Sequence, residues 1–234
     1  MNTTIQCVRT GAAAQSGERS ACYYTQARPE VAALVPASCR RVLEIGCGEG
    51  QLGRLLRARG HSVTGIELLP DVAERARAHL DRVVLADVEG DGLPFPPDSF
   101  DAIVFADVLE HLVDPWGALR KAVEVLAEDG VVVASIPNVQ NVDVIRRLLR
   151  GRWDYRERGI LDFGHLRFFT LKTIRALFAR ADLSVEFVGH CYRRTWWREL
   201  LCWLSAGRAR GFWTRQYLVV GRKKCPIPAG LTCS

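Results

Sequence analysis

The chain predicts an open α/β fold, a mostly parallel sheet with helices between its strands, on two observations. First, an apolar run, Val42 to Ile45, stops at glycines in alternate positions, Gly46, Gly48 and Gly50, and gives way to Leu52, Leu55, Leu56 and Arg59 at helical spacing. Second, the next apolar runs each end in an acid: Ser62 to Ile66 in Glu67, Arg82 to Ala86 in Asp87, and Phe100 to Ala106 in Asp107. Acids at successive strand ends line the crevice in which such sheets bind ligands.

Each element follows from local chemistry. The first run, with Glu44 inside it, reads as strand, tight glycine loop, then helix. Glycine is required where φ turns positive or where a ligand must touch bare backbone. The helix start behind the loop presents N–H groups and partial positive charge to an anion. An ordinary βα turn explains the glycines equally well if they are taken alone. The order of acids is more specific: a carboxylate after the second strand can accept both ribose hydroxyls, and one after the third can receive an adenine amino group, which suits an adenosine ligand. A dinucleotide is the rival. Its fingerprint needs G-x-G-x-x-G, whereas here the third glycine comes one residue early and Glu49 intrudes beside the phosphates. Further along, Thr170 is an N-cap for a helix whose apolar face is Leu171, Ile174, Leu177, Phe178 and Ala181. Ser184 to Val188 and Gln216 to Val220 read as closing strands.

Composition sets the frame. A chain of 234 residues with net charge +6 suits one domain. Its eight cysteines lack the close pairs of a zinc site or the density of a secreted scaffold, so they are expected reduced and the chain cytoplasmic. Residues 1–20 carry Arg9, Glu18 and Arg19 among small polar residues, without the apolar core of a signal peptide, and are expected to be disordered. No apolar stretch is long enough to cross a bilayer. Residues 21–224 then form the domain and 225–234 a tail.

From about Tyr23 to Lys224 the chain resembles the class I S-adenosylmethionine-dependent methyltransferases. Glu44-Ile45-Gly46-Cys47-Gly48-Glu49-Gly50 looks like their first motif, Glu67 like the ribose-binding acid with Leu68 beside it, and Asp87-Val88 like the adenine-contacting pair. Phe100 to Pro115, which contains Ala106 and Asp107, resembles the fourth-strand motif, and Gly130 to Asn138 the fifth strand. The resemblance implies a three-layer Rossmann-like methyltransferase fold, a seven-stranded, mostly parallel sheet with an antiparallel last strand. It also implies S-adenosyl-L-methionine as cofactor. In similar enzymes the segment before the first strand folds over the cofactor, so Arg28 is the candidate for its carboxylate and Tyr23 for a wall of the transfer site; a solvated surface helix is the alternative.

Methyl transfer to a hydroxyl needs alignment and removal of a proton. Asp107, Glu110 and His111 follow the fourth strand. If a helical turn starts there they share one face, with His111 as base and a carboxylate to orient it. His165 stands in Gly164-His165-Leu166-Arg167-Phe168-Phe169-Thr170, an "HLRFFT" segment similar to those of bacterial small-molecule methyltransferases. Asp107, Glu110, His111 and His165 also resemble the metal-binding E-x-x-E-H…H set of small-RNA 3′-terminal 2′-O-methyltransferases, with Asp107 in place of the first Glu. A base without metal is the favoured reading; a divalent-metal site and purely structural histidines are the alternatives.

Residues 141–169 and 190–215 are the inserts expected to face substrate. The first carries Arg146, Arg147, Arg150, Arg152, Arg156 and Arg158 around Trp153 and Tyr155. From His190 to Lys224, seven arginines and two lysines stand against Glu199 alone, interleaved with Trp196, Trp197 and Trp203. That stretch suits an anionic membrane surface or a lipid-linked substrate, or a pocket cap; bound nucleic acid is the minority reading, since no recognised RNA-binding module accompanies the core. Its alternative is tryptophans packed on the last strands and solvated arginines. The expected function is transfer of a methyl group to oxygen of a small molecule, a metabolite, sugar or lipid-linked precursor. A metal-assisted RNA 2′-O-methyltransferase and a non-catalytic cofactor-binding subunit are the runners-up.

Overall fold

The computed structural model describes residues 27–90, 92–192 and 195–224. Expectations for residues 1–20, for Tyr23 and for the 225–234 tail fall outside them. In chain order the elements are α1 (Pro29–Ala32), β1 (Arg41–Ile45), α2 (Gln51–Ala58), β2 (Ser62–Glu67), α3 (Pro70–Ala76), β3 (Arg82–Leu85) and β4 (Phe100–Ala106). A 3-10 turn (Leu109–His111), α4 (Pro115–Glu124), β5 (Leu126–Pro137), α5 (Val142–Leu148) and α6 (Leu171–Arg180) follow. The chain closes with β6 (Leu183–Cys191), α7 (Trp196–Leu204), α8 (Arg210–Trp213) and β7 (Gln216–Lys223).

The sheet has seven strands in the order β3-β2-β1-β4-β5-β7-β6, and β7 runs antiparallel to both its neighbours. Strand residues alternate between two apolar cores. Val42, Ala102, Val104, Val131 and Val133 face one, with Val31, Leu52 and Leu56 of α1 and α2. Leu43, Ile103, Phe105, Val132 and Ala134 face the other, with Leu119 of α4 and Ile174, Leu177 and Phe178 of α6. The sheet is thus covered on both faces, which explains why its central strands read as unbroken apolar runs. Fully burying one such side chain stabilises the fold by roughly 1.5–3 kcal/mol.

The expected strand positions hold, with small shifts at the ends. β3 stops at Leu85, two residues before Asp87, and β6 continues to Cys191 inside the second insert. Thr170 caps α6 in a reciprocal arrangement with Thr173. Between β1 and β4 the connections diverge to opposite sides of the sheet, and this switch point opens the crevice above their carboxyl ends.

Candidate active site

The glycine loop opens the crevice. Gly46, Gly48 and Gly50 have φ of +64°, +53° and +80°, so all three occupy the left-handed region that favours glycine. A Cβ on Gly46 would stand 2.9 Å from Val108 Cγ2. Glu67 holds the loop from β2: its carboxylate accepts the Gly48 N–H at 3.0 Å and the Leu68 and Leu69 N–H groups at 3.0 and 3.1 Å. Burial raises the Glu67 pKa, and those three donors oppose the rise. Glu49 turns away from the loop to pair with Arg75 at 2.8 Å.

A cavity of about 560 Å3 lies against this loop. Of the expected cofactor residues, Arg28, Glu44, Gly46, Cys47, Gly48, Glu67, Ala106 and Asp107 line it. Gly50, Leu68, Asp87 and Val88 do not. Gly50 is the N-cap of α2, Leu68 is half exposed, Asp87 accepts the Glu89 N–H at 2.8 Å, and Val88 is buried in the core. Glu44 is buried at the cavity wall, and its Oε2 lacks a hydrogen-bond partner among the described residues. Desolvation pushes its pKa up to about 8, against a backbone hydrogen bond from Gly53.

Asp107 departs from the expected geometry. It has φ +57° and precedes the 3-10 turn, so it shares no helical face with Glu110 and His111. Its carboxylate pairs with the Arg28 guanidinium and accepts from Ser135 Oγ at 2.8 Å and from the Gln216 side-chain amide. Arg28 also donates to Ser135 Oγ at 2.9 Å and to Glu30 at 2.6 Å. Asp107 is therefore saturated by a cation and two donors and does not belong to the histidine cluster, which corrects its place in the metal set. Ser135 and Gln216 escaped sequence reading. The available signal was a lone hydroxyl inside the apolar run Val131 to Ile136.

Glu110, His111 and His165 do come together. Leu166 N–H and Arg167 N–H donate to the Glu110 carbonyl at 2.8 and 3.0 Å, which ties the "HLRFFT" segment to the 3-10 turn. The rings of His111 and His165 meet edge to face, 4.7 Å between centroids. Nδ1 of His111 lies 2.8 Å from the Gly164 carbonyl and Nδ1 of His165 lies 3.0 Å from the Ile160 carbonyl, so each Nδ1 must be the protonated nitrogen. In the neutral rings Nε2 is then the acceptor nitrogen. The ligand atoms of Glu110, His111 and His165 all lie within 4.8 Å of one another, a grouping able to hold a metal ion. Glu110 is buried with no partner for either carboxylate oxygen among the described residues. Desolvation pushes its pKa up to about 8, with Arg28 opposing and Asp162 adding to the rise.

A doubly wound sheet with a glycine loop, an acid at the end of its second strand and an imidazole pair lining one cavity at its switch point defines a nucleotide-cofactor-binding α/β protein. The model for a methyltransferase domain matches residues 18–187, and the chain belongs to that family. Ubiquinone biosynthesis O-methyltransferase of Xanthomonas campestris pv. campestris (strain B100) is 33% identical over 142 residues, 54% of this chain and 59% of that protein. The chain thus spans about six-tenths of the length of that relative. 27-O-demethylrifamycin SV methyltransferase of Amycolatopsis mediterranei (strain S699) is 38% identical over 97 residues, 38% of this chain and 36% of the other. A SAM-dependent methyltransferase structure from Archaeoglobus fulgidus aligns with TM-score 0.62 at 18% identity, covering 87% of this chain and 95% of that one, a likeness of fold.

S-adenosylmethionine is the cofactor of this family, and the residues present fit it. Gly46, at positive φ, brings bare backbone to the cavity wall, where a Cβ would crowd Val108, and the Glu67 and Glu44 carboxyls stand in the same wall as polar partners for the cofactor.

Proposed function

We propose that this protein is an S-adenosylmethionine-dependent methyltransferase that acts on a hydroxyl oxygen of a small molecule, a metabolite, sugar or lipid-linked precursor. The observation that carries the reading is the imidazole and carboxyl cluster of His111, His165 and Glu110 in the same cavity as the glycine loop and Glu67. The curated relatives, both methyltransferases and one named for transfer to oxygen in ubiquinone biosynthesis, support it.

S-adenosylmethionine supplies an activated methyl group and a neutral thioether leaving group. The chain's part is alignment and proton removal. Nε2 of His111 takes the hydroxyl proton as the acceptor oxygen forms its bond to carbon. Nδ1–H on the Gly164 carbonyl holds the ring at the required angle. Glu110, in the same cluster, orients that ring, and its carbonyl, held by the Leu166 and Arg167 N–H groups, fixes the turn that carries His111. Arg28, Asp107 and Ser135 form a rigid polar wall that orients the cofactor's amino-acid end.

A second reading is favoured by the 4.8 Å grouping of Glu110, His111 and His165: a divalent cation there would grip the acceptor oxygen and lower its pKa. One experiment tests both. Methyl transfer by chelator-stripped protein should continue unchanged, and His111→Ala should slow it by ~10²–10⁴ with cofactor affinity retained. Activity that appears only on adding magnesium, manganese or zinc would replace the base by the metal. Equal loss of cofactor binding and rate would make His111 structural.

The four described cysteines, Cys39, Cys47, Cys191 and Cys202, are free thiols, which supports a reducing, cytoplasmic setting. No helix among the described residues is long and apolar enough to cross a membrane. The exposed apolar side chains of α7 instead support peripheral contact with an anionic membrane or a lipid-linked acceptor.

A further inference from the structure

A second cavity, of about 580 Å3, adjoins the first and is made largely of arginine. Arg146 and Arg147 reach it from α5, and Arg150, Arg152 and Arg156 from the loop that follows. Arg158 and Arg215 stand in its wall and also line the cofactor cavity, together with Gly159 and Ile160. Against these seven guanidinium groups the lining offers one acid, Asp143. Asp154 outside the lining reaches two of them, Arg152 at 3.1 Å and, more loosely, Arg147 at 3.9 Å.

Seven like charges around one hollow repel each other, and the arrangement gains stability when an anion of multiple charge enters. Arginine forks match phosphoryl oxygens in pairs, which ammonium groups do not, and a set of this size exceeds what one carboxylate can engage. The hollow and the reacting cavity share residues 158–160 and Arg215 in their walls. A ligand anchored among the arginines therefore lies beside the cavity that holds His111.

We infer that the acceptor is a phosphate or diphosphate ester, whose phosphoryl group occupies the arginine hollow while its hydroxyl reaches His111. This rests on the proposed function and narrows it to a substrate class. The chemistry is shared by a water-soluble phosphorylated metabolite and by the phosphoryl group of a lipid-linked precursor.

Inorganic pyrophosphate titrated into the whole chain by calorimetry, alongside S-adenosylhomocysteine, tests the site directly. Pyrophosphate should bind with an affinity that falls steeply with salt. Arg146→Glu with Arg150→Glu, two exposed positions within and just after α5, should weaken it at least tenfold and leave S-adenosylhomocysteine affinity unchanged. Unmeasurable pyrophosphate binding, or equal binding by the variant, overturns the inference. If S-adenosylhomocysteine itself fails to bind, the methyltransferase reading falls instead. Methyl transfer to matched hydroxyl acceptors with and without a phosphate ester should favour the ester at least tenfold in kcat/KM. Short soluble esters that match lipid-linked ones assign the hollow to the phosphoryl group alone, whereas a requirement for the lipid chain assigns the lipid-linked source. Equal rates for ester and bare hydroxyl also overturn the proposal.

Discussion

At the scale of single residues, Gly48 joins the fold to the cofactor. Its φ of +53° is strained for any residue with a Cβ, and its N–H is one of the three donors that hold Glu67. A branched side chain there would displace the loop backbone and with it the Glu67 carboxylate. Gly48→Val should therefore abolish S-adenosylhomocysteine binding in calorimetry while the chain stays folded by circular dichroism; affinity within threefold of wild type would contradict the site. Asp107 shows where residue-level reading failed. Its spacing to Glu110 and His111 fits a helical turn, but it has a positive φ ahead of the 3-10 turn and its carboxylate pairs with the Arg28 guanidinium instead. Arg28 lies 107 residues from Ser135 in order of sequence, and no local pattern could have announced that bond.

At the scale of elements, the strands were legible because burial on both faces leaves continuous apolar runs that glycines and acids punctuate. Thr170 was legible as a cap because a hydroxyl before an apolar helical stripe has a local role. The inserts were not, since a mixed run such as Trp196 to Leu204 fits core and surface alike. The structure separates them within one helix. Cys202 is buried and Trp197 packs edge-on against Trp213 at 5.2 Å, whereas Trp196 and Trp203 are 79% and 77% exposed, so the alternative of tryptophans packed on the last strands does not hold for these two. Leu200 and Leu204 are exposed on the same short helix. Exposed tryptophan and leucine beside Arg208 and Arg210 suit the headgroup boundary of an anionic bilayer. The chain should co-sediment with phosphatidylglycerol vesicles and far less with phosphatidylcholine vesicles, and Trp196→Ser with Trp203→Ser should lower the bound fraction at least fivefold. Sedimentation that is indifferent to either change would leave α7 without a membrane role.

For the whole molecule, the active cavity imposes a cost on the fold that varies with pH. Glu44 and Glu110, both pushed up to about 8 by desolvation, lie well above the 4.5 of an exposed glutamate. Between those values the native chain holds protons that the unfolded chain has lost, so their contribution to stability is greatest below about 4.5 and is lost as pH rises toward 8. Asp101, held low by hydrogen bonds from Arg41 and Arg40 in spite of its partial burial, titrates below this window. His190, lowered by burial, acts in the opposite direction within it, since its native form resists protonation as pH falls. The isolating comparison is therefore wild type against Glu110→Gln, which keeps the shape and removes the titration. A tenfold difference in proton affinity between native and unfolded chain is worth about 1.4 kcal/mol, and in a domain of this size that moves Tm by roughly 3–5 °C. Wild type should lose at least that much more Tm than the variant between pH 5 and pH 8 in calorimetric scans. Parallel Tm curves for the two proteins would mean that Glu110 is solvated in the native state. The site would then lack the dry carboxyl on which both the base and the metal reading draw.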